Sequence, residues 1–292
     1  MLLWYNKSMI NWFPGHMNKT LKQMQQDSKL CDCFIYVLDA RCPKSCINPE
    51  FVRVIKGKPI IYVLNKADLV TSEDVNRLKK EFATEENVCL SLNATQTNSA
   101  KTIITEINKI FATRLNNNAQ KQANFLIRAM ILGVPNSGKS TITNNLCGKV
   151  RAVTGNKAGV TRNKQWLRVG SVEIMDTPGV LLPSFEDEDL AYNLAIVGSV
   201  KDEVVNLIDV ACALIKKLLK IDKEILISKY SVVYSVDTQE VDNKQALEIL
   251  AQIGKKRGCI IRGGECDYER ASKVLLTDFR AGKLGKICLE QF

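Results

Sequence analysis

Histidine is almost missing from this chain: His16 is the only one in 292 residues. Ten cysteines could still suggest zinc or disulfides, but their spacing argues otherwise. The close pairs are Cys31-Asp32-Cys33 and Cys42-Pro43-Lys44-Ser45-Cys46. Neither has the two-residue gap of a zinc knuckle, and a lone histidine excludes the ligand sets that use two or more imidazoles. Cys33 opens an apolar stretch, where a thiol packs as a small hydrophobe. Reduced structural thiols are therefore expected. Also lacking is any apolar run near the ~18 residues that a membrane span requires. Met1–Ile10 does not have the charged, apolar, small-residue layout of a secretory signal. No internal repeat or low-complexity tract is visible. A cytoplasmic protein with no membrane partner is the expectation.

What is present is a sizeable apolar fraction, 46%, enough to build a core. The length suits one α/β domain with a smaller companion. Net charge is +10, and its location is informative. Residues 185–292 hold 16 Lys/Arg against 18 Asp/Glu, leaving 25 against 13 in residues 1–184. The basic excess thus sits in the first part of the chain, where it favours a polyanion.

Four apolar runs read as buried parallel strands: Cys33–Leu38, Ile60–Leu64, Val88–Leu92 and Leu126–Leu132. Helical stretches, Glu73–Phe82 and Ala100–Leu115, lie between them. This alternation predicts an α/β fold with a parallel-type sheet flanked by helices. Polar Asn116–Gln122 reads as a connector. Gln165–Val169 and Val172–Met175, joined by Gly170-Ser171, predict a hairpin. After Pro183 the pattern turns helical, with Val204, Val205, Leu207, Ile208, Ala211, Leu214, Ile215, Leu218 and Leu219 on one face. Ser231–Tyr234 is the one further strand candidate. Two domains follow: residues 1–184, and a mostly helical 185–292.

Gly133-Val134-Pro135-Asn136-Ser137-Gly138-Lys139-Ser140 follows a strand and opens a helix, the context of a phosphate-binding loop. Its glycines let backbone N–H groups face phosphates, and the helix start adds positive potential. Lys139 is expected on the β- and γ-phosphates, Ser140 on Mg²⁺, with Ser137, Gly138 and Thr141 as further nucleotide contacts. Asp176-Thr177-Pro178-Gly179 ends a strand at the sheet's carboxyl edge, where ligands bind. Asp176 is expected to hold Mg²⁺ and the Gly179 N–H to meet the γ-phosphate. Thr161, in Gly159-Val160-Thr161-Arg162, can close over Mg²⁺ and release after hydrolysis. Its bland alternative is a surface threonine.

Asn65-Lys66-Ala67-Asp68 follows the second strand. A carboxylate at Asp68 can accept from the ring N–H and exocyclic amine of guanine; adenine leaves it unpaired, a costly outcome for a buried group. The Lys66 stem can lie along the base, and Asn93-Ala94 can bring a backbone N–H to guanine O6. An Asx turn is the alternative for Asn65 and Asp68. The guanine motif comes about seventy residues before the phosphate loop, the reverse of ordinary GTPases. The pair predicts a GTP/GDP site on a circularly permuted P-loop GTPase fold.

With Trp12-Phe13-Pro14-Gly15-His16-Met17, Asp39-Ala40-Arg41, Gly263-Gly264-Glu265-x-Asp267-Tyr268 and Phe279-Arg280-Ala281-Gly282-Lys283-Leu284-Gly285, the set resembles the circularly permuted YlqF-type, or RbgA-like, ribosome biogenesis GTPases. The resemblance spans almost the whole chain. Ala158, in place of a frequent proline, is a minor departure. It implies a GTP hydrolase in late assembly of the large ribosomal subunit, stimulated by that particle, with a C-terminal RNA-binding domain and no DNA partner. Since residues 185–292 are not basic overall, RNA contact falls to local patches: Lys255-Lys256-Arg257 with Arg262, or Arg280 with Lys283 and Lys286.

Many GTPases orient water with a glutamine after Asp-x-x-Gly, but Val180 stands here. The resemblance assigns that task to His16, giving His16, Lys139 and Thr161 as the catalytic set; the alternative for His16 is an exposed histidine in an RNA-contacting arm. In related potassium-dependent GTPases an asparagine at the position of Asn136 helps hold K⁺, the ion neutralising transition-state charge, and Asn136 is expected to be a K⁺ ligand in the same way. Docking on the particle is then expected to bring His16 and Thr161 into line. The alternatives are a GTP-binding RNA-interaction module with negligible turnover, a different assembly target, and an ATPase.

Overall fold

The computed structural model describes residues 16–55, 57–112, 126–148, 165–181, 187–233 and 241–290. Gly159 to Arg162, the Trp-Phe-Pro-Gly part of the N-terminal element, and the 116–122 connector lie outside them.

Six strands form one sheet: β1 (Cys33–Asp39), β2 (Ile60–Asn65), β3 (Val88–Leu92), β4 (Ile127–Leu132), β5 (Gln165–Val169) and β6 (Val172–Asp176). Their order is β3-β2-β1-β4-β6-β5. Pairings are parallel except β5 with β6, the hairpin turned by Gly170 at φ 62°. In β1 every residue is buried, as a central strand covered on both faces requires. Its side chains alternate between two cores. Phe34, Tyr36 and Leu38 enter one, and Cys33, Ile35 and Val37 enter the other.

Helices α1 (His16–Asp27), α2 (Pro49–Ile55), α3 (Ser72–Phe82), α4 (Lys101–Ile110) and α5 (Lys139–Cys147) belong to the sheet layers. Buried Ile103 and Ile107 of α4 pack with Ile142 and Leu146 of α5 on the second face. The first face carries the C-terminal helices α6 (Glu188–Ile196), α7 (Leu207–Ile221), α8 (Glu224–Tyr230), α9 (Asn243–Lys256) and α10 (Tyr268–Arg280). The α7 stripe Val210, Ala211, Leu214, Ile215, Leu218, Leu219 is buried in that core, at helical spacing. A capping box starts α9, with Asp242 and Gln245 each bonding the other's N–H at 2.7 and 2.9 Å.

Two boundaries differ from expectation. Val204 and Val205 are outside the helix: Val204 closes a 3₁₀ turn and Asn206 caps α7, accepting from the Ile208 N–H at 3.0 Å. Ser231–Val233 is not a strand. Ser231, at φ 54°, ends α8, and the Gln252 side chain takes both the N–H and the C=O of Val233 at 2.8 Å, leaving nothing for a ladder. The ten cysteines are free thiols; burial raises Cys31 and Cys212 to about 11. No described helix is long and apolar enough to cross a membrane.

Candidate functional site

The register brings the carboxyl ends of the central strands together: Asp39 pairs with Asn65, and Tyr36 with Leu132. The chain leaves β4 at Gly133, whose φ of 149° and close approach to β1 exclude a side chain; a Cβ there would lie 2.5 Å from the Val37 carbonyl. Asn136 takes φ 57°, a region asparagine tolerates. Gly138, at φ 98°, leads into α5, and a Cβ there would collide with the amide of Asn65.

That collision marks where the two motifs meet. Asn65 Nδ2 donates to the Ser137 carbonyl at 2.8 Å, although 72 residues separate them. Lys66 Nζ donates to the Asn136 carbonyl at 2.9 Å and to Asp39 Oδ2 at 2.7 Å. Lys66 itself is left-handed, φ 58°, and starts the turn Ala67–Leu69 that carries exposed Asp68. Asp68 and the phosphate-loop lysine, Lys139, therefore share one edge of the sheet. The Ala94 N–H donates to Asn65 Oδ1 at 3.0 Å and so orients Asn65. Asn145 of α5 braces the same loop through the Ala94 carbonyl at 3.1 Å. Half-buried Asn93 turns its own oxygen to the Thr95 N–H at 3.0 Å.

On the phosphate side, Lys139 is buried and donates back to the carbonyls of Gly133 at 3.1 Å and Val134 at 2.8 Å. Burial lowers it to about 8, against the opposing pull of Asp176. Asp176 ends β6 beside it, and both carboxylate oxygens are buried without a directed hydrogen-bond partner. Burial raises its pKa, against Lys139, the Thr177 N–H and Ser140. A buried, unsatisfied carboxylate facing a serine hydroxyl at a phosphate loop fits a hard divalent cation. Gly179 lies against the loop: a Cβ there would sit 2.6 Å from Pro135 Cα and 2.9 Å from Lys139 Nζ. Ser140 and Thr141, half-buried, occupy the first turn of α5. Val180 is fully buried, as its apolar side chain allows. His16 begins α1, but its side chain, like Thr161, is outside what the structure describes.

Sequence reasoning gave no role to Asp39 and Arg41, or to the C-terminal tail. Arg41 Nε and Nη2 reach Asp39 at 2.9 and 2.7 Å, both side chains being buried. The tail crosses this corner: the Ile287 N–H bonds the Leu69 carbonyl at 2.9 Å, and the Leu289 N–H the Arg41 carbonyl at 2.7 Å. Glu290 accepts from the N–H groups of Lys44 and Ser45 at 2.7 and 2.8 Å. A charged pair ending a buried strand was the available signal. In the second basic patch only Arg280 is turned into protein; Lys283 is paired, but its side chain stays 56% exposed. Arg280 bonds Asp202, and Lys283 pairs with Asp278, which also binds Arg257. Lys255, Lys256, Arg262 and Lys286 remain exposed.

A phosphate loop, an Asp-x-x-Gly turn and a guanine motif on one sheet edge define a P-loop GTPase, here with the guanine strand preceding the phosphate-loop strand. Residues 128–257 match the family model described as 50S ribosome-binding GTPase. The chain is 37% identical to the ribosome biogenesis GTPase A of Bacillus cereus, covering 97% of this chain and 94% of that one. Against the Bacillus licheniformis protein of the same name the identity is 36%, over 97% and 98%. The solved GNP-bound YlqF from T. maritima superposes with TM-score 0.61 at 25% identity, covering 94% and 98%. The chain belongs to the ribosome biogenesis GTPase A (YlqF) family, and it is a GTP-hydrolysing enzyme.

Proposed function

We propose that this GTPase is a switch in late assembly of the large ribosomal subunit, working in the cytoplasm on the maturing particle and its rRNA. The observation that carries the reading is the Asn65–Ser137 hydrogen bond of 2.8 Å, which joins base-reading and phosphate-binding motifs into one pocket. Asn65 and Ala94 support the base side, where Asp68 selects guanine and the Lys66 stem covers it. Asn93, Ser137, Gly138, Lys139, Thr141 and Gly179 line the rest of the nucleotide path.

Mg²⁺ would be held by Ser140 and Asp176, joined by Thr161, and would offset negative charge on the phosphates. Lys139, released from the Gly133 and Val134 carbonyls, gives its protonated amine to the phosphate chain. As a K⁺ ligand Asn136 would use its carboxamide oxygen, since the nitrogen donates to Gly198. His16 orients the attacking water, a task buried Val180 has no polar atom to perform. In this reading residues 1–184 form the nucleotide domain and 185–292 the RNA-binding helical domain. Exposed Lys255, Lys256 and Arg262, beside Ile260 and Ile261, which are 46% and 50% exposed, support an RNA contact there.

The test is phosphate release from GTP with and without precursor large-subunit particles, in K⁺ and in Na⁺. Particle stimulation is expected, larger in K⁺ and lost in His16→Ala with nucleotide affinity kept. A rate indifferent to particles overturns the assembly role; equal rates in both salts remove Asn136 from K⁺ binding.

A further inference from the structure

Asn136 is gripped from two directions, and both lead to Arg280. Its Nδ2 donates to the Gly198 carbonyl at 2.6 Å. Gly198 lies just past the end of α6, at φ 81°, and closes that helix: its N–H bonds the Ala195 carbonyl at 3.0 Å and the Ser199 N–H bonds Leu194 at 2.8 Å. The guanidinium of Arg280 fills this turn. Nε reaches the Ile196 carbonyl at 2.9 Å and Nη2 the Ala195 carbonyl at 2.8 Å, while Asp202 takes Nη2 and Nη1 at 2.8 and 3.0 Å. A Cβ on Gly198 would stand 3.3 Å from Arg280 Nε, so the turn is moulded to the arginine.

The other path returns through the sheet. The Arg280 carbonyl accepts from Arg41 Nη1 at 3.4 Å. Arg41 stacks over Phe279, 5.3 Å from its centroid, and binds Asp39. Asp39 holds Lys66, which donates to the Asn136 carbonyl. The contacts form a closed ring from Asn136 through the C-terminal helices and the guanine motif back to Asn136.

We propose that the Arg280 side chain is a positioning element of the phosphate loop: its guanidinium fixes the turn that holds the Gly198 carbonyl where Asn136 needs it, while the backbone carbonyl of the same residue, which any side chain would leave in place, backs Arg41. Lysine cannot replace it, since one ammonium does not span two carbonyls and a bidentate carboxylate. The proposal rests on the placement of Asn136 in the nucleotide site.

A double-mutant cycle on the full free chain tests it, reading kcat and KM for GTP. Asn136→Gly removes the amide without straining the left-handed backbone. Arg280→Gln is expected to lower kcat/KM about tenfold in the parent and less than about twofold in Asn136→Gly. Equal losses in both backgrounds, or none, overturn the proposal. If Asn136→Gly alone leaves kcat/KM at the parent value, the placement of Asn136 fails first and the proposal with it. Should Arg280→Gln not fold, Asp202→Asn takes its place in the cycle under the same criterion.

Discussion

Asp39→Asn is the most informative single perturbation of this corner. The carboxylate is fully buried and accepts four hydrogen bonds: from the Arg41 N–H at 3.1 Å, Arg41 Nε at 2.9 Å, Arg41 Nη2 at 2.7 Å and Lys66 Nζ at 2.7 Å. Burial alone would raise its pKa, but the charges of Arg41 and Lys66 and their hydrogen bonds hold it well below the usual carboxylate range. An asparagine keeps one oxygen and turns an N–H₂ toward a guanidinium or an ammonium. Arg41, 2% exposed, stays charged and loses its counter-ion. Breaking such a buried pair costs ~3–5 kcal/mol. That is a large share of the ~5–15 kcal/mol that holds a domain together. Because the native carboxyl is depressed, its contribution is present above about pH 4 and is lost as pH falls below that. The stability gap between wild type and Asp39→Asn should therefore narrow in acid. Lys66 also loses its anchor, so GDP binding should weaken; one charge-assisted hydrogen bond, ~1.5–3 kcal/mol, corresponds to roughly 10–150-fold in Kd. Urea unfolding and a fluorescent GDP titration measure the two effects. Glu173→Gln, which breaks the exposed Arg128 pair, is the control, expected to cost under ~1 kcal/mol. An Asp39→Asn protein within about 1 kcal/mol of wild type, binding GDP normally, would refute the argument.

Three further outcomes are expected. Lys139 has a native pKa of about 8 against 10.5 in the unfolded chain, so the unfolded state holds more protons between these values and this group's contribution rises with pH across that window. Nucleotide-free wild type should gain up to ~3 kcal/mol relative to Lys139→Met between pH 8 and 10.5, read by urea unfolding; a constant difference would contradict the burial argument. Gly138→Ala places a methyl group on the Asn65 amide at φ 98°, and should weaken GDP binding more than ~10-fold, measured by calorimetry. Glu290→Ala strands the N–H groups of Lys44 and Ser45, and should cost ~1–3 kcal/mol; hydrogen exchange at those two amides should accelerate.

Much of the pocket was legible because its parts are local. A phosphate loop needs glycines at fixed offsets between a strand and a helix, and Gly133, Gly138 and Lys139 state this within a few residues. Apolar runs such as Cys33–Leu38 announced buried strands for the same short-range reason. The reversed motif order was likewise a property of the string. Ser231–Tyr234 misled because apolar, β-branched composition cannot reveal that Gln252 takes the Val233 backbone groups. Arg280 misled because a charge in sequence carries no direction, and only packing turned its guanidinium toward Asp202.

The chain by itself determined the nucleotide class, the strands of the sheet and which loop carries the phosphate-binding pattern. Only the tertiary structure decided what holds that loop: Asn65 on Ser137, Gly198 on Asn136, and Glu290 on Lys44 and Ser45. Those partners are far apart along the chain. Hydrogen bonds act over about 3 Å, so residue type and spacing leave them open until the sheet register and the packing of α6 and α10 bring the groups together.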